Sequence, residues 1–157
     1  MIALEIETEA EGWGGLPGFE TLAQQAADAA LAALAQPPGR DLTATLLLAD
    51  DAAVRALNRD WRGQDKPTNV LSFPAPATPG SGPRHLGDVV LALETVKREA
   101  GLEDKRTVDH AAHLVVHGLL HLLGHDHETD READAMEAIE VAALARLGIP
   151  DPYREPA

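Results

Sequence analysis

His117, His121 and His127 have the types and spacing of a three-imidazole metal site, in the run His117-Gly118-Leu119-Leu120-His121-Leu122-Leu123-Gly124-His125-Asp126-His127. His117 and His121 are four residues apart, so a helix stacks them on one face. Gly124 suits the helix exit, because glycine tolerates the left-handed cap conformation. A turn at that point can bring His127 back toward the other two. Neutral imidazoles are ordinary zinc ligands, and three protein ligands leave a fourth position open for water. The pattern therefore fits a catalytic ion better than a structural one.

The same skeleton, H-x-x-x-H-x-x-G-x-x-H, serves the metzincin peptidases. Those enzymes place a glutamate directly after the first histidine, as general base. Here that position is Gly118. Glycine cannot accept a proton, so a zinc metallopeptidase becomes the alternative and another hydrolysis the preferred reading.

The residues around the histidines narrow the choice. The segment from His117 to His127 resembles the H-G-x-L-H-L-x-G-Y-D-H signature of the YbeY family of bacterial endoribonucleases. Two further blocks are similar to the same family and occur in its order. One runs through Leu57-Asn58, Trp61-Arg62-Gly63 and Lys66-Pro67-Thr68-Asn69-Val70-Leu71-Ser72-Phe73-Pro74; the other is Leu86-Gly87-Asp88-Val89-Val90. His125 departs from the pattern by replacing the usual tyrosine, which adds a fourth nearby imidazole.

The resemblance implies His127 as the third ligand and Arg62 as the functional arginine. It implies a zinc-dependent endoribonuclease of single-stranded RNA, with nickel or another divalent transition metal as alternatives, because an all-imidazole site accepts them. The implied work is ribosomal RNA processing, notably the 3′ end of the small-subunit RNA, and ribosome quality control. The implied partners are ribosomal RNA and the small ribosomal subunit. A non-enzymatic ribosome-assembly module with a structural metal is the further alternative, with His125 as a fourth ligand.

The chemistry expected of such a site follows from its residue types. Zinc lowers the pKa of bound water from about 15.7 to roughly 7. A planar guanidinium suits two oxygens of a phosphorane-like transition state, a role open to Arg62, whose other reading is an ion pair with Asp60 or Asp65. Asp126 can act as general base or as a carboxylate that orients an imidazole, and the second role is preferred. The RNA's own 2′-hydroxyl is an alternative nucleophile.

A formal net charge of −13 sets a limit on the RNA reading, since phosphate binding wants lysine and arginine. Arg55, Arg59, Arg62 and Lys66 lie close together, the first three on one helical face. On charge alone this is a solvated face. The resemblance turns Arg55, Arg59 and Lys66 into candidate RNA contacts in a localised basic cleft. The chain has no cysteine, so it has no disulfide partner and no thiolate site. Acids near the N-terminus, at Glu5 and Glu7, stand where a signal peptide carries bases. The Leu22–Leu34 stretch is too short and polar to span a bilayer. A cytoplasmic protein without membrane association is expected.

The elements that must position these residues follow from periodicity. A chain of 157 residues can form one domain over 1–157, with a frayed tail from Pro150. Strands are expected at 2–8, 42–48, 70–73 and 87–92. Helices are expected from Phe19 to Leu34, from an Asp50 or Asp51 cap to Arg62, from Glu94 to Ala100 with Gly101 as the stop, over 105–123, and from a capping box at Thr129-Asp130-Arg131-Glu132 to Gly148. The 105–123 helix is apolar almost all round and hence buried, except for a stripe of His110, His113, His117 and His121. His113, like His110, is expected to support the site or the fold rather than bind metal. The fold class expected is α+β: a small mixed sheet of about four strands, as the resemblance also implies, with about five helices packed around it. The order of strands in the sheet is not readable from this pattern.

Overall fold

Ile2, Leu4 and Ile6 alternate with Ala3, Glu5 and Glu7, and this period of two folds as strand β1 (Ile2–Thr8), with Ile2 buried and the acids exposed. The protein is described from a computed structural model, which describes residues 2–77, 79–80 and 82–153. Strand β2 (Leu42–Ala49) alternates in the same way and buries Leu42, Ala44, Leu46 and Leu48. Between them lies helix α1 (Phe19–Ala32). Asp50 caps helix α2 (Asp51–Arg62) by accepting the Ala53 N–H at 2.8 Å. Asp51 does different work. Its carboxylate accepts from the Thr95 N–H and hydroxyl at 3.0 and 2.8 Å, tying α2 to helix α3 (Leu93–Leu102).

Strand β3 (Val70–Pro74) is antiparallel to β4 (Arg84–Ala92), whereas β1, β2 and β4 run parallel. The order across the sheet is β1-β2-β4-β3. Several boundaries shift by one or two residues from the sequence expectation, among them the ends of α1 at Ala32 and β2 at Ala49, and two differences have a clear structural cause. Strand β4 begins at Arg84 rather than Gly87, because Arg84 and His85 pair with Leu42 and Thr43 before a register shift. Gly101 lies inside α3; the left-handed exit falls instead to Asp104, at φ 54°, a residue type that tolerates that region.

Helix α4 (Thr107–Leu122) is central. It packs against α1, α3, α5, β3 and β4, and Ala111, Ala112, Val115, Val116, Leu119 and Leu120 are buried along it. Helix α5 (Asp130–Arg146) starts where Thr129 accepts the Glu132 N–H at 3.1 Å. On the opposite face of the sheet, Val54 and Leu57 of α2 cover Leu71 and Val90 in a second, smaller core. Two residues of the tail expected to fray from Pro150 make contacts with the body of the fold. Lys105 Nζ donates to the Pro152 carbonyl at 3.0 Å, and the Tyr153 hydroxyl reaches the interior. Residues 154–157 of that expected tail lie outside the described residues. No helix among the described residues is long and apolar enough to cross a membrane.

Candidate metal centre

The helical repeat of α4 places the His117 and His121 rings 4.6 Å apart, with their Nε2 atoms separated by 3.0 Å. After Leu123 the chain leaves the helix through Gly124 at φ 97°. The Gly124 N–H donates to the His121 carbonyl and the His125 N–H to the Leu120 carbonyl, at 3.0 and 2.9 Å. This is the paired closure of a glycine-terminated helix, which satisfies carbonyls that the helix leaves open. The reversed chain then carries His127 to 5.1 Å from the His121 ring and 5.9 Å from the His117 ring. One ring nitrogen from each of His117, His121 and His127 lies within 4.8 Å of the others. Nitrogens bound to one zinc sit about 2.0–2.1 Å from it, so a cluster of this size suits a single ion.

Hydrogen bonding favours the same conclusion. His117 Nδ1–H donates to Glu140 Oε1 at 2.9 Å, and His121 Nδ1–H donates to the His125 carbonyl at 3.0 Å. With those protons on Nδ1, both Nε2 atoms carry free lone pairs facing each other at 3.0 Å. A cation between them satisfies both. Burial, then the neighbouring His117 and His127, lowers the pKa of His121 and favours the neutral, ligating form.

Glu140 was not singled out by its sequence context. It is fully buried on α5 and accepts from His117, from His113 Nε2 at 3.2 Å and from the Tyr153 hydroxyl at 2.6 Å. Burial alone raises a carboxyl pKa. Hydrogen bonds from His113, His117 and Tyr153 outweigh it and hold Glu140 at about 2. The missed signal was positional: Glu140 stands at core-facing spacing between Met136 and Ala143, both buried. A charge on an apolar stripe needs a partner.

Arg62, the last residue of α2, lines the same cleft of about 580 Å3 as His117, His121, His127, Ser72 and Asp126. Neither Asp60 nor Asp65 takes it. Asp65 pairs with Arg55 at 2.8 Å and Asp60 with Arg59 at 3.1 Å. Arg55 and Arg59 are therefore engaged at the exposed surface, outside the cleft lining, and Lys66 is exposed beyond them. Asp126 Oδ1 accepts the His127 N–H at 2.7 Å and lies 3.9 Å from His127 Nδ1. His125 lines the cleft and contributes its backbone carbonyl to His121, but its ring is not in the three-nitrogen cluster. His113 faces Glu140 rather than the cluster, and His110 pairs with Glu99 at 2.9 Å.

Gly118 turns away from the cluster toward the sheet. A Cβ there would stand 2.7 Å from Val89 Cγ1 and 3.2 Å from Ser72 Oγ. Ser72 also donates to the Gly118 carbonyl at 3.2 Å. The position that holds the peptidase glutamate is filled here by the contact of α4 with β3 and β4.

The fold and the triad define a small α+β protein able to hold a metal ion on three imidazoles. Comparison with known proteins is more specific. The family model described as Endoribonuclease YbeY matches residues 14–148, and the chain belongs to that family. It is 54% identical to Endoribonuclease YbeY of Azorhizobium caulinodans, covering 98% of both chains. It is 49% identical to Endoribonuclease YbeY of Nitrobacter winogradskyi, covering 97% of this chain and 82% of that one. The solution structure of TM1509 from Thermotoga maritima matches with a TM-score of 0.54 at 21% identity, over 99% of this chain and 100% of that one, and shares the fold.

Proposed function

We propose that this chain is a zinc-dependent endoribonuclease that cuts single-stranded RNA in the cytoplasm. Its work is ribosomal RNA processing, at the 3′ end of the small-subunit RNA, together with ribosome quality control. Its partners are then ribosomal RNA and the small ribosomal subunit. The observation that carries the reading is the shared cleft. Arg62 opens onto the same cavity as the three clustered imidazoles, in a chain whose relatives are named Endoribonuclease YbeY.

His117, His121 and His127 would hold the ion, zinc first and nickel or another divalent transition metal as alternatives. When bound, the ion supplies a coordinated water with a pKa near 7 and polarisation of a phosphoryl oxygen. The chain's own residues do the rest. Glu140 and the His125 carbonyl keep the Nδ1 protons of His117 and His121 away from the cleft. Asp126 holds the backbone of His127 in its turn. Arg62 offers a planar pair of donors to two non-bridging phosphate oxygens, which gain charge in the transition state. Arg55, Arg59 and Lys66 track the RNA backbone outside the cleft. Arg55 and Arg59 must give up Asp65 and Asp60 to do so, so non-specific binding is weak.

The peptidase alternative asks for a general base at Gly118, where even a Cβ crowds Val89. A structural metal asks for a fourth protein ligand, and the His125 ring lies outside the cluster.

The test is Arg62→Ala with a single-stranded RNA at saturating concentration. Loss of one preorganised donor lowers a rate by about a hundredfold to a thousandfold, while metal content and Tm stay near wild type. Arg62→Lys rescues in part, because an ammonium lacks the planar pair. Arg55→Ala and Arg59→Ala weaken binding and flatten its salt dependence without changing saturated turnover. Wild-type turnover in Arg62→Ala would refute the assignment.

A further inference from the structure

We infer that Glu140 is a positioning residue for the metal centre: from a helix that carries no metal ligand, it fixes the His117 ring with Nε2 turned to the ion. The inference rests on the metal reading of the triad. It starts from a cost that the fold does not need to bear. Glu140 is 0% exposed, and its neighbours on the same stripe of α5, Met136, Ala143 and Leu144, are buried and apolar. An ionised carboxylate there is expensive to bury, and an apolar residue of similar size commonly stabilises such a position as well or better. Measured against an apolar replacement, stability does not account for a carboxylate at this position.

Its contacts show what the charge does. Oε1 accepts His117 Nδ1–H at 2.9 Å, and Oε2 accepts His113 Nε2–H at 3.2 Å. The Tyr153 hydroxyl donates across both oxygens, at 2.6 and 2.9 Å. Each carboxylate oxygen thus accepts from two donors, and Oε1 is directed at His117. An imidazole can carry its proton on either nitrogen, and the partner of one nitrogen decides the state of the other. An acceptor fixed at Nδ1 leaves the Nε2 lone pair facing His121 and the cleft. A carboxylate on the outer nitrogen also makes the ligating nitrogen more basic.

Tyr153 and His113 act one step further out, by holding Glu140. Tyr153 lies beyond the end of α5, on a segment anchored by Lys105 to the Pro152 carbonyl. Tyr153 is in this way connected to His117 through two hydrogen bonds that meet at Glu140.

The experiment measures zinc affinity by competition with a chromophoric chelator for the wild-type chain, Glu140→Gln and Tyr153→Phe. It adds the protonation of the His117 ring nitrogens, read by NMR in the metal-free wild-type protein. Loss of such a carboxylate weakens metal binding by about 10- to 100-fold, and that rise in Kd is expected for Glu140→Gln. Tyr153→Phe keeps the carboxylate and should change Kd less. His117 should be protonated at Nδ1 in the metal-free wild type, a readout that needs no variant to fold. Glu140→Gln with wild-type affinity, a larger effect from Tyr153→Phe, or a neutral His117 ring with its single proton on Nε2 would each overturn the inference. A wild-type chain that takes up no zinc would overturn the triad reading itself, and this inference with it.

Discussion

Replacing Gly118 by alanine sets a helix preference against a close approach. A Cβ built at Gly118 lies 2.7 Å from Val89 Cγ1, 3.1 Å from Val89 Cγ2 and 3.2 Å from Ser72 Oγ. Carbon atoms pack best at about 3.5–4.0 Å, so the overlap with Val89 is close to an ångström. Val89 is 1% exposed, and a β-branched side chain has few other rotamers. Relief requires α4 to back away from the sheet. Overpacking of this kind costs about 1–3 kcal/mol, and alanine returns about 1 kcal/mol of helix propensity. The net destabilisation is about 0–2 kcal/mol. For a chain of this length it lowers Tm by up to about 8 °C. Because α4 carries His117 and His121, zinc affinity should fall with it. Val89→Ala removes the opposing methyls, so the double variant should be more stable than the two single losses predict, by roughly 0.5–3 kcal/mol of coupling. Thermal melts of the four proteins, metal-free, make the cycle. A higher Tm in Gly118→Ala, or strict additivity with Val89→Ala, would refute the reasoning.

Three further outcomes are expected. His117→Ala, His121→Ala and His127→Ala should each strip the metal and abolish cleavage, whereas His125→Ala, which keeps its backbone carbonyl for His121, should be milder; metal loss in His125→Ala with retention in His127→Ala would reverse the ligand assignment. Chelation should lower Tm without unfolding the chain, because the apolar core does not depend on the ion; at a hundredfold excess over Kd the ion contributes about 2.7 kcal/mol, and an unchanged Tm in a sample shown to be metal-free would count against the bridge between α4 and the segment after Gly124. Glu140 has a pKa depressed from 4.5 to about 2, so the unfolded chain takes up this proton first on acidification. The stability it contributes is present above pH 4.5 and is lost as pH falls toward 2; Glu140→Gln should flatten that part of the stability profile, and identical acid titrations of the two proteins would contradict the shift.

Local patterns carried much of this fold. The alternation in β1 and β2, the Asp50 and Thr129 caps and the Gly124 exit each depend on residues close in sequence, and each stands where that chemistry requires. The spacing of His117 and His121 is likewise local. What escaped depends on distant partners. The start of β4 at Arg84 is set by pairing with Leu42 and Thr43, and the order β1-β2-β4-β3 is a property of the whole sheet. Pro150 and its neighbours have the composition of a loose end, yet Tyr153 is held by a carboxylate thirteen residues earlier. Glu140 was hidden for the same reason. An acid on an amphipathic helix is ordinarily solvated, and only the approach of α4 supplies the two imidazoles that make burial tolerable.

The central claim is that the three imidazoles hold the ion on which RNA cleavage depends. Metal analysis of the purified chain, with cleavage of a single-stranded RNA measured before chelation, after it and after zinc is restored, tests this most directly. About one transition-metal ion per chain is predicted, with cleavage lost on its removal, regained on its return, and absent in His117→Ala. Full cleavage by a chain shown to be metal-free would contradict the account.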